Sequence, residues 1–358
     1  MSNVKEYEKV PTERNRLAII ATLAARTPAG KSLLMWGNAT PHHTHVTHET
    51  ATATGIAIRD GIRLISVEEG NGTMVLMRPT WPGDARCAVS LTFDNFGESF
   101  DLLRYGHAGG ASADGVYAPR RGIARILDLL ERHTVPATFF LEGWNVRKYG
   151  ALAREIVARG HEVASHGWMH ERWSELTPAV ERDLIAKTTA AHSEILGRPP
   201  RGWRSPSGLT TVSTLALLHE AGYRYDSSFG DEDIPYWSGI GADRAEEILE
   251  LPWSWPLDDA AFYAYPGTIR RPSEIAQLWM EEFDAALALT GSFTLVCHPR
   301  FSGRPARLLA LERLIEHIEQ QEGVWFARCE EIAQYAAEDS STPHYPAPET
   351  MPTRDEGR

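Results

Sequence analysis

From about residue 85 into the 330s the chain alternates between two textures, and this rhythm leaves few folds open to it. Short apolar runs (CAVSLTF, ATFFL, HEVASH, YRYDSS, ILELP, FTLVCH, VWFARC) are separated by longer stretches (RGIARILDLLERH, ALAREIVARG, AVERDLIAKTTAAHSEIL, TVSTLALLHEAG, SEIAQLWMEEFDAALAL, ARLLALERLIEHIEQ). The short runs read as buried strands, and the long ones repeat apolar residues at the three- and four-residue intervals of a core-facing helix. Seven or eight strand–helix units in succession predict an α/β fold whose parallel sheet closes, or nearly closes, into a barrel. Helix starts are marked at Pro119, at Thr177-Pro178 and at Arg304-Pro305, because proline suits a first helical position and threonine a cap.

The first 80 residues read differently. An amphipathic helix is expected over residues 17–25 (LAIIATLAA), with Leu17, Ile20, Leu23 and Ala24 on one face. The charges before it are mixed (Glu6, Glu8 and Glu13 among Lys5, Lys9, Arg14 and Arg16), whereas an export signal begins clearly basic. A Thr/His-rich stretch (NATPHHTHVTHETATATG) follows, then two β-like runs, GIAIRDGIRLISV and TMVLMRP. TWPGD, residues 80–84, reads as the linker into the main body. The expected organisation is an N-terminal extension over 1–80, a barrel over 81–338 and a Pro-rich, polar, disordered tail over 339–358.

Charge and cysteine content narrow the function classes. With 36 Lys+Arg against 48 Asp+Glu the net charge is −12, which argues against a nucleic-acid binder that must present a basic face to phosphates. Cys87, Cys297 and Cys329 show no CxxC spacing, so neither a disulfide framework nor a thiolate zinc site is expected, and a reducing, cytoplasmic setting fits. No apolar run approaches the ~20 residues needed to span a membrane. A homo-oligomer acting on a small molecule or saccharide is the expected assembly.

Active sites of strand–helix barrels form where the C-terminal strand ends converge. Here those ends carry Asp94 and Asn95 (LTFDN), His166 (EVASH), Arg204 (GWRS), Asp226 (YRYDSS) and His298 (TLVCHP). A single polar strand end is ordinary; five, two of them histidines, point to chemistry. His166 and His170 (HGWMH) are spaced to converge on one metal, from a helix face or from a strand end and its turn. With an oxygen ligand from Asp94 or Asn95, the set matches a catalytic zinc with an open position, suited to amide hydrolysis. Asp94 and His298 are the natural base and acid. Arg204 would orient Asp94 by a charge-assisted hydrogen bond, and Asp226 or Asp231 would raise the basicity of an imidazole.

These segments resemble the polysaccharide deacetylases, the NodB-homology hydrolases of carbohydrate esterase family 4. TFDN is similar to the family's TFDD, SHGWMH to its H-S/T-x-x-H, and RSPSG to its R-x-P-Y, while YDSSFGDEDIPYW and LVCHP resemble its last two motifs. The likeness spans residues 81–335. DEDIPYW, ELPWSWPLDD and HPRFSGRPARLLALERLIEHI resemble the intracellular branch, which holds a peptidoglycan deacetylase homologue, metal-independent allantoinases and cyclic-imide hydrolases. The resemblance implies a distorted (β/α) barrel, one divalent metal (usually zinc) and hydrolysis of a C–N amide bond. It also implies Asp94 as base, Asn95, His166 and His170 as metal ligands, Arg204 as the residue orienting the base, and His298 as acid. Two departures stand out. Asn95 offers a neutral carbonyl where the family has a carboxylate, for which Asp94 or Glu98 would compensate. Ser207 replaces a tyrosine, leaving its backbone N–H to face an oxyanion.

Trp168, Ser207, Trp237 and Trp255 are the expected substrate contacts, since aromatic faces stack on sugars and planar heterocycles. Trp253, Phe262, Tyr263, Tyr265, Trp173 and Trp203 divide between that role and core filling. His42, His43, His45 and His48 read as an exposed loop cluster, and Cys297 as a buried, inert thiol. The leading expectation is metal-dependent N-deacetylation of a sugar-like or small N-acetyl substrate. Ring opening of a cyclic amide or imide, possible without metal, is the alternative. A non-catalytic binding barrel is a third reading, against which the survival of both Asp94 and His298 argues.

Overall fold

The computed structural model describes residues 52–59, 62–69, 72–79, 81–110, 114–239, 247–264 and 266–346. The chain divides into two units, Met1–Thr50 and Ala51–Arg358. The first lies outside the described residues, and with it the helix expected over 17–25 and the histidines at 42, 43, 45 and 48.

Strands β1 (Thr52–Arg59), β2 (Ile62–Glu69) and β3 (Gly72–Arg78) form an antiparallel sheet of their own. The run GIAIRDGIRLISV thus supplies two antiparallel strands and not one: Arg59 pairs with Ile62.

The second sheet is built on β4 (Cys87–Asp94), β5 (Thr138–Leu141), β6 (Glu162–Ser165), β7 (Gly202–Trp203) and β8 (Tyr225–Asp226). It continues with β9 (Tyr236–Gly239), β10 (Ile248–Glu250), β11 (Ser292–Cys297), β12 (Val324–Phe326) and β13 (His344–Pro346). Its order is β11-β4-β5-β6-β7-β8-β10-β9-β13, with β12 on the start of β4. All pairs are parallel except β9 with β10. A single parallel bridge, Asp258 to Val296, joins the segment after β10 to β11. The result is a distorted barrel, as expected. β13 corrects the expectation for the tail: His344–Pro346 pairs with β9, so order extends past residue 339.

Alternation along each strand decides which side chains reach the interior. On β4, Cys87, Val89, Leu91 and Phe93 pack into the main apolar core with the helices, whereas Ser90, Thr92 and Asp94 are the buried polar residues between them. On β11, Phe293, Leu295 and Cys297 join the same core. A period of two therefore sends the intervening residues to the inner face.

The marked helix starts appear at nearly the expected places. Thr177 caps Pro178–Leu196, its hydroxyl accepting from the Val180 N–H. Pro305 opens Pro305–Glu319, and Pro119 lies in a wide turn, Ala118–Gly122, ahead of Ile123–His133. Gly122 has a specific reason to be glycine: a Cβ there would lie 2.2 Å from the Pro299 carbonyl, so this close approach seats the segment that follows His298. Cys87, Cys297 and Cys329 are all buried, and burial pushes the Cys297 thiol well up, leaving it inert. Among the described residues no helix is long and apolar enough to cross a membrane.

Candidate active site

A cavity of about 400 Å³ opens at the C-terminal strand ends, and Asp94, Asn95, His166, His170, Arg204 and His298 all line it. Ser207 and Trp255 line it too, together with Trp253.

Asp94 ends β4 and is 4% exposed. Arg204 Nη1 donates to Asp94 Oδ1 at 3.0 Å and to Thr92 Oγ1 at 2.7 Å. The rest of that guanidinium is committed as well: Nε donates to the Ser227 carbonyl at 2.9 Å and Nη2 to Ser227 Oγ at 2.8 Å. Its face rests on Phe140 at 4.1 Å. A fork held on all sides cannot rotate away, so it fixes the carboxylate in one orientation.

Two neutral imidazoles lie beside this pair. His166 follows β6, and its Nδ1 donates to the Arg204 carbonyl at 2.9 Å, which leaves Nε2 as the lone-pair nitrogen. Burial drives its pKa down to about 3. Burial also pushes His170 well below its ordinary value, with His166 and Arg300 adding to the effect. The two rings are 5.0 Å apart. They converge from a strand end and the turn after it, with Gly167 at φ 75° and His170 at φ 71°. Asn95 (φ 61°) and Ser207 (φ 60°) are also left-handed. Three non-glycine residues lining one cavity in this sparsely populated region mark a place where surrounding structure dictates the backbone.

His298 is the counterpart of Asp94. Its Nδ1 donates to Asp259 Oδ1 at 2.7 Å, and its backbone N–H points at the same carboxylate, 3.0 Å from each oxygen. Asp258 Oδ1 stands 3.6 Å from Nδ1. Burial pulls the imidazole pKa down, but the Asp259 hydrogen bond and the charges of Asp258, Asp259 and Asp94 outweigh it, raising it to about 9. His298 therefore carries its proton at neutral pH.

Several expectations need correction. The partner that raises an imidazole's basicity is Asp259, not Asp226 or Asp231. Asp226 accepts from Ser228 Oγ at 2.6 Å, and Asp231 from Tyr236 Oη at 2.8 Å. Glu98 does not stand in for a missing ligand carboxylate: it bonds Lys148 and Tyr149 and is absent from the cavity lining. Trp168 is stacked under Lys187 at 4.0 Å. Trp237 lies against His344 and borders a different depression, with Arg201 and Arg224. Neither tryptophan lines the cavity. Trp173 and Trp203 pack edge to face in a core cluster, and Tyr265 lies outside the described residues. Asp259 was legible only as an acidic pair in the apolar segment WPLDDAA.

Two clusters invite a metal. Asp258, Asp259 and His298 lie close together, but Asp259 already accepts from the His298 ring, the His298 backbone and Ser302 Oγ, so this is a saturated ion-pair network. The second set fits better. His166 and His170 are neutral, and Asn95 Oδ1 is a buried acceptor without a donor. Two imidazoles and one oxygen match a catalytic zinc-type donor set.

Residues 85–225 match the sequence profile of the family described as polysaccharide deacetylase. The Helicobacter pylori protein named peptidoglycan deacetylase is 29% identical over 248 residues, covering 61% of this chain and 85% of its own. A solved Mycobacterium smegmatis structure assigned to the polysaccharide deacetylases is 32% identical, covers 78% of this chain and 99% of its own, and superposes with a TM-score of 0.71. The solved structure of Puue allantoinase is 27% identical, covers 72% of this chain and 92% of its own, and gives a TM-score of 0.66.

Proposed function

Because the chain belongs to the polysaccharide deacetylase family and is a hydrolase of C–N amide bonds, we propose that it deacetylates an N-acetylated saccharide or small molecule. Asp94 serves as base and His298 as acid. The observation that supports this most is the pairing across one cavity of an Arg204-clamped carboxylate with an Asp259-clamped imidazolium.

His166, His170 and Asn95 would hold a divalent ion, zinc being the best match to the donor set. When bound there, such an ion polarises the amide carbonyl as a Lewis acid. The chain's own groups move the protons. Asp94 takes one from the attacking water while Arg204 keeps the carboxylate aimed. As the C–N bond breaks, His298 Nε2 delivers its proton to the departing nitrogen, and Nδ1 stays on Asp259. Acetate and a free amine leave. Trp253 and Trp255 give the cavity an aromatic wall on which a sugar ring can stack.

A second reading has a specific observation behind it. Asn95 brings no charge to the metal position, and a neutral oxygen holds a dication less firmly than a carboxylate. The same acid–base pair without metal could open a cyclic amide, and one of the solved structures similar to this chain is named an allantoinase. Metal content of the purified protein, measured with acetate release from N-acetylglucosamine oligomers and ring opening of hydantoin, separates the two. Stoichiometric metal with acetate release supports deacetylation; hydantoin opening by metal-free protein overturns it.

A further inference from the structure

Arg300 lies two residues past His298 in the short helix Pro299–Ser302, is 6% exposed, and lines the same cavity. A guanidinium so deeply buried is costly unless it is paired. One corner is paired: Nη1 donates to Asp101 Oδ1 at 3.2 Å and stands 3.5 Å from Asp114 Oδ1. Asp101 is anchored in turn by the Gly115 N–H at 2.6 Å, and Asp114 is shared with Arg304 at 3.1 Å. The guanidinium carbon is 5.2 Å from the Phe100 ring, and Phe100 meets His170 edge-on at 5.0 Å. Arg300 is thus held in place next to the imidazole pair by the protein alone.

Its other edge is uncommitted. Nε and Nη2 have no acceptor among the described residues, and the proposed hydrolysis makes no use of them. Those two N–H groups run parallel, matching the two oxygens of a carboxylate or converging on one carbonyl oxygen. We infer that Arg300 is a specificity residue that binds a second sp2 oxygen of the substrate, a carboxylate or a further carbonyl, beside the scissile amide. The inference rests on the amide-hydrolase reading of this cavity and adds what the substrate must carry.

The test is calorimetric binding to the full chain, with two ligand pairs that each differ by such an oxygen. N-acetylmuramic acid against N-acetylglucosamine tests the carboxylate; hydantoin against 2-pyrrolidinone tests the second carbonyl. In at least one pair the oxygen-bearing ligand should bind about 10- to 100-fold tighter, the range for a charge-assisted hydrogen bond. Which pair does so identifies the source. Arg300→Lys keeps a cation beside Asp101 but lacks the parallel edge, and should abolish the preference. Arg300→Met combined with Asp101→Asn, which removes both members of the buried pair together, should do the same if the lysine variant folds poorly. No preference in either pair, or a preference that survives both variants, overturns the inference. Failure of the protein to hydrolyse any of these ligands counts against the proposed reaction only, because the preference is read from binding.

Discussion

Asp94 and His298 are level neighbours on adjacent parallel strands. Cys297 of β11 pairs with Phe93 of β4, so the next residue on each strand reaches the same height at the cavity. Both preceding residues face the helical core, which sends both functional side chains inward. The register of one strand pair therefore sets the separation of the proposed base and acid.

Asp94→Asn and His298→Ala should each lower kcat by about 10²–10⁴-fold, the usual loss for a general base or acid. KM should change little, because neither group is needed chiefly to bind the ground state. Steady-state kinetics with a melting curve for each variant checks this. A folded His298→Ala protein with normal kcat removes the acid assignment.

Activity should fall on the alkaline side as pH passes about 9, where His298 loses its proton. Asp259→Asn removes the anion that overcomes burial, and should shift that limb down by about one unit or more. The same pair contributes to stability. With its folded pKa raised, His298 stabilises fully below its ordinary 6.5, and the contribution is lost as pH rises through about 9. The pH–rate profile and the melting temperature at about pH 6 and about pH 10 should therefore move together in Asp259→Asn.

Metal retention should depend on His166 and His170. The His166→Ala, His170→Ala double variant should lose it, and Asn95→Asp should tighten it by placing an anionic oxygen opposite the dication. Metal titration of the three proteins is the check. Unchanged affinity in Asn95→Asp would take Asn95 out of the ligand set.

Glu162 makes the barrel interior pH-sensitive. Burial, reinforced by the Glu330 charge, raises it to about 7 despite hydrogen bonds from Glu330 N–H, Thr138 and Tyr225. Below its ordinary 4.5 both states are protonated. Between 4.5 and about 7 only the unfolded chain gives up the proton, so stability falls as pH rises. Glu162→Gln should flatten that slope. Melting curves at about pH 5 and about pH 7.5 that keep the wild-type difference would show that Glu162 is not its source.

The amino-acid sequence alone determined the strand–helix rhythm, the Thr177-capped start of Pro178–Leu196, the proline-opened start of Pro305–Glu319, and the polar strand ends at Asp94, His166, Arg204 and His298. These follow from local periodicity and from the rule that residues just past a buried parallel strand gather at one face. Tertiary structure decided the partners. Asp259 is 39 residues from His298 in the chain, and Asp226 lay at a strand end just as plausible, yet only folding brings one carboxylate to the imidazole and turns the other towards Ser228. Trp168 and Trp237 were indistinguishable from Trp255 by composition. What separates them is which way each element turns its ring, and that depends on the packing of Lys187 over one and His344 beside the other. Contacts between residues far apart in the chain leave no local pattern to read, because the side chain is chosen for a neighbour that only the closed barrel supplies.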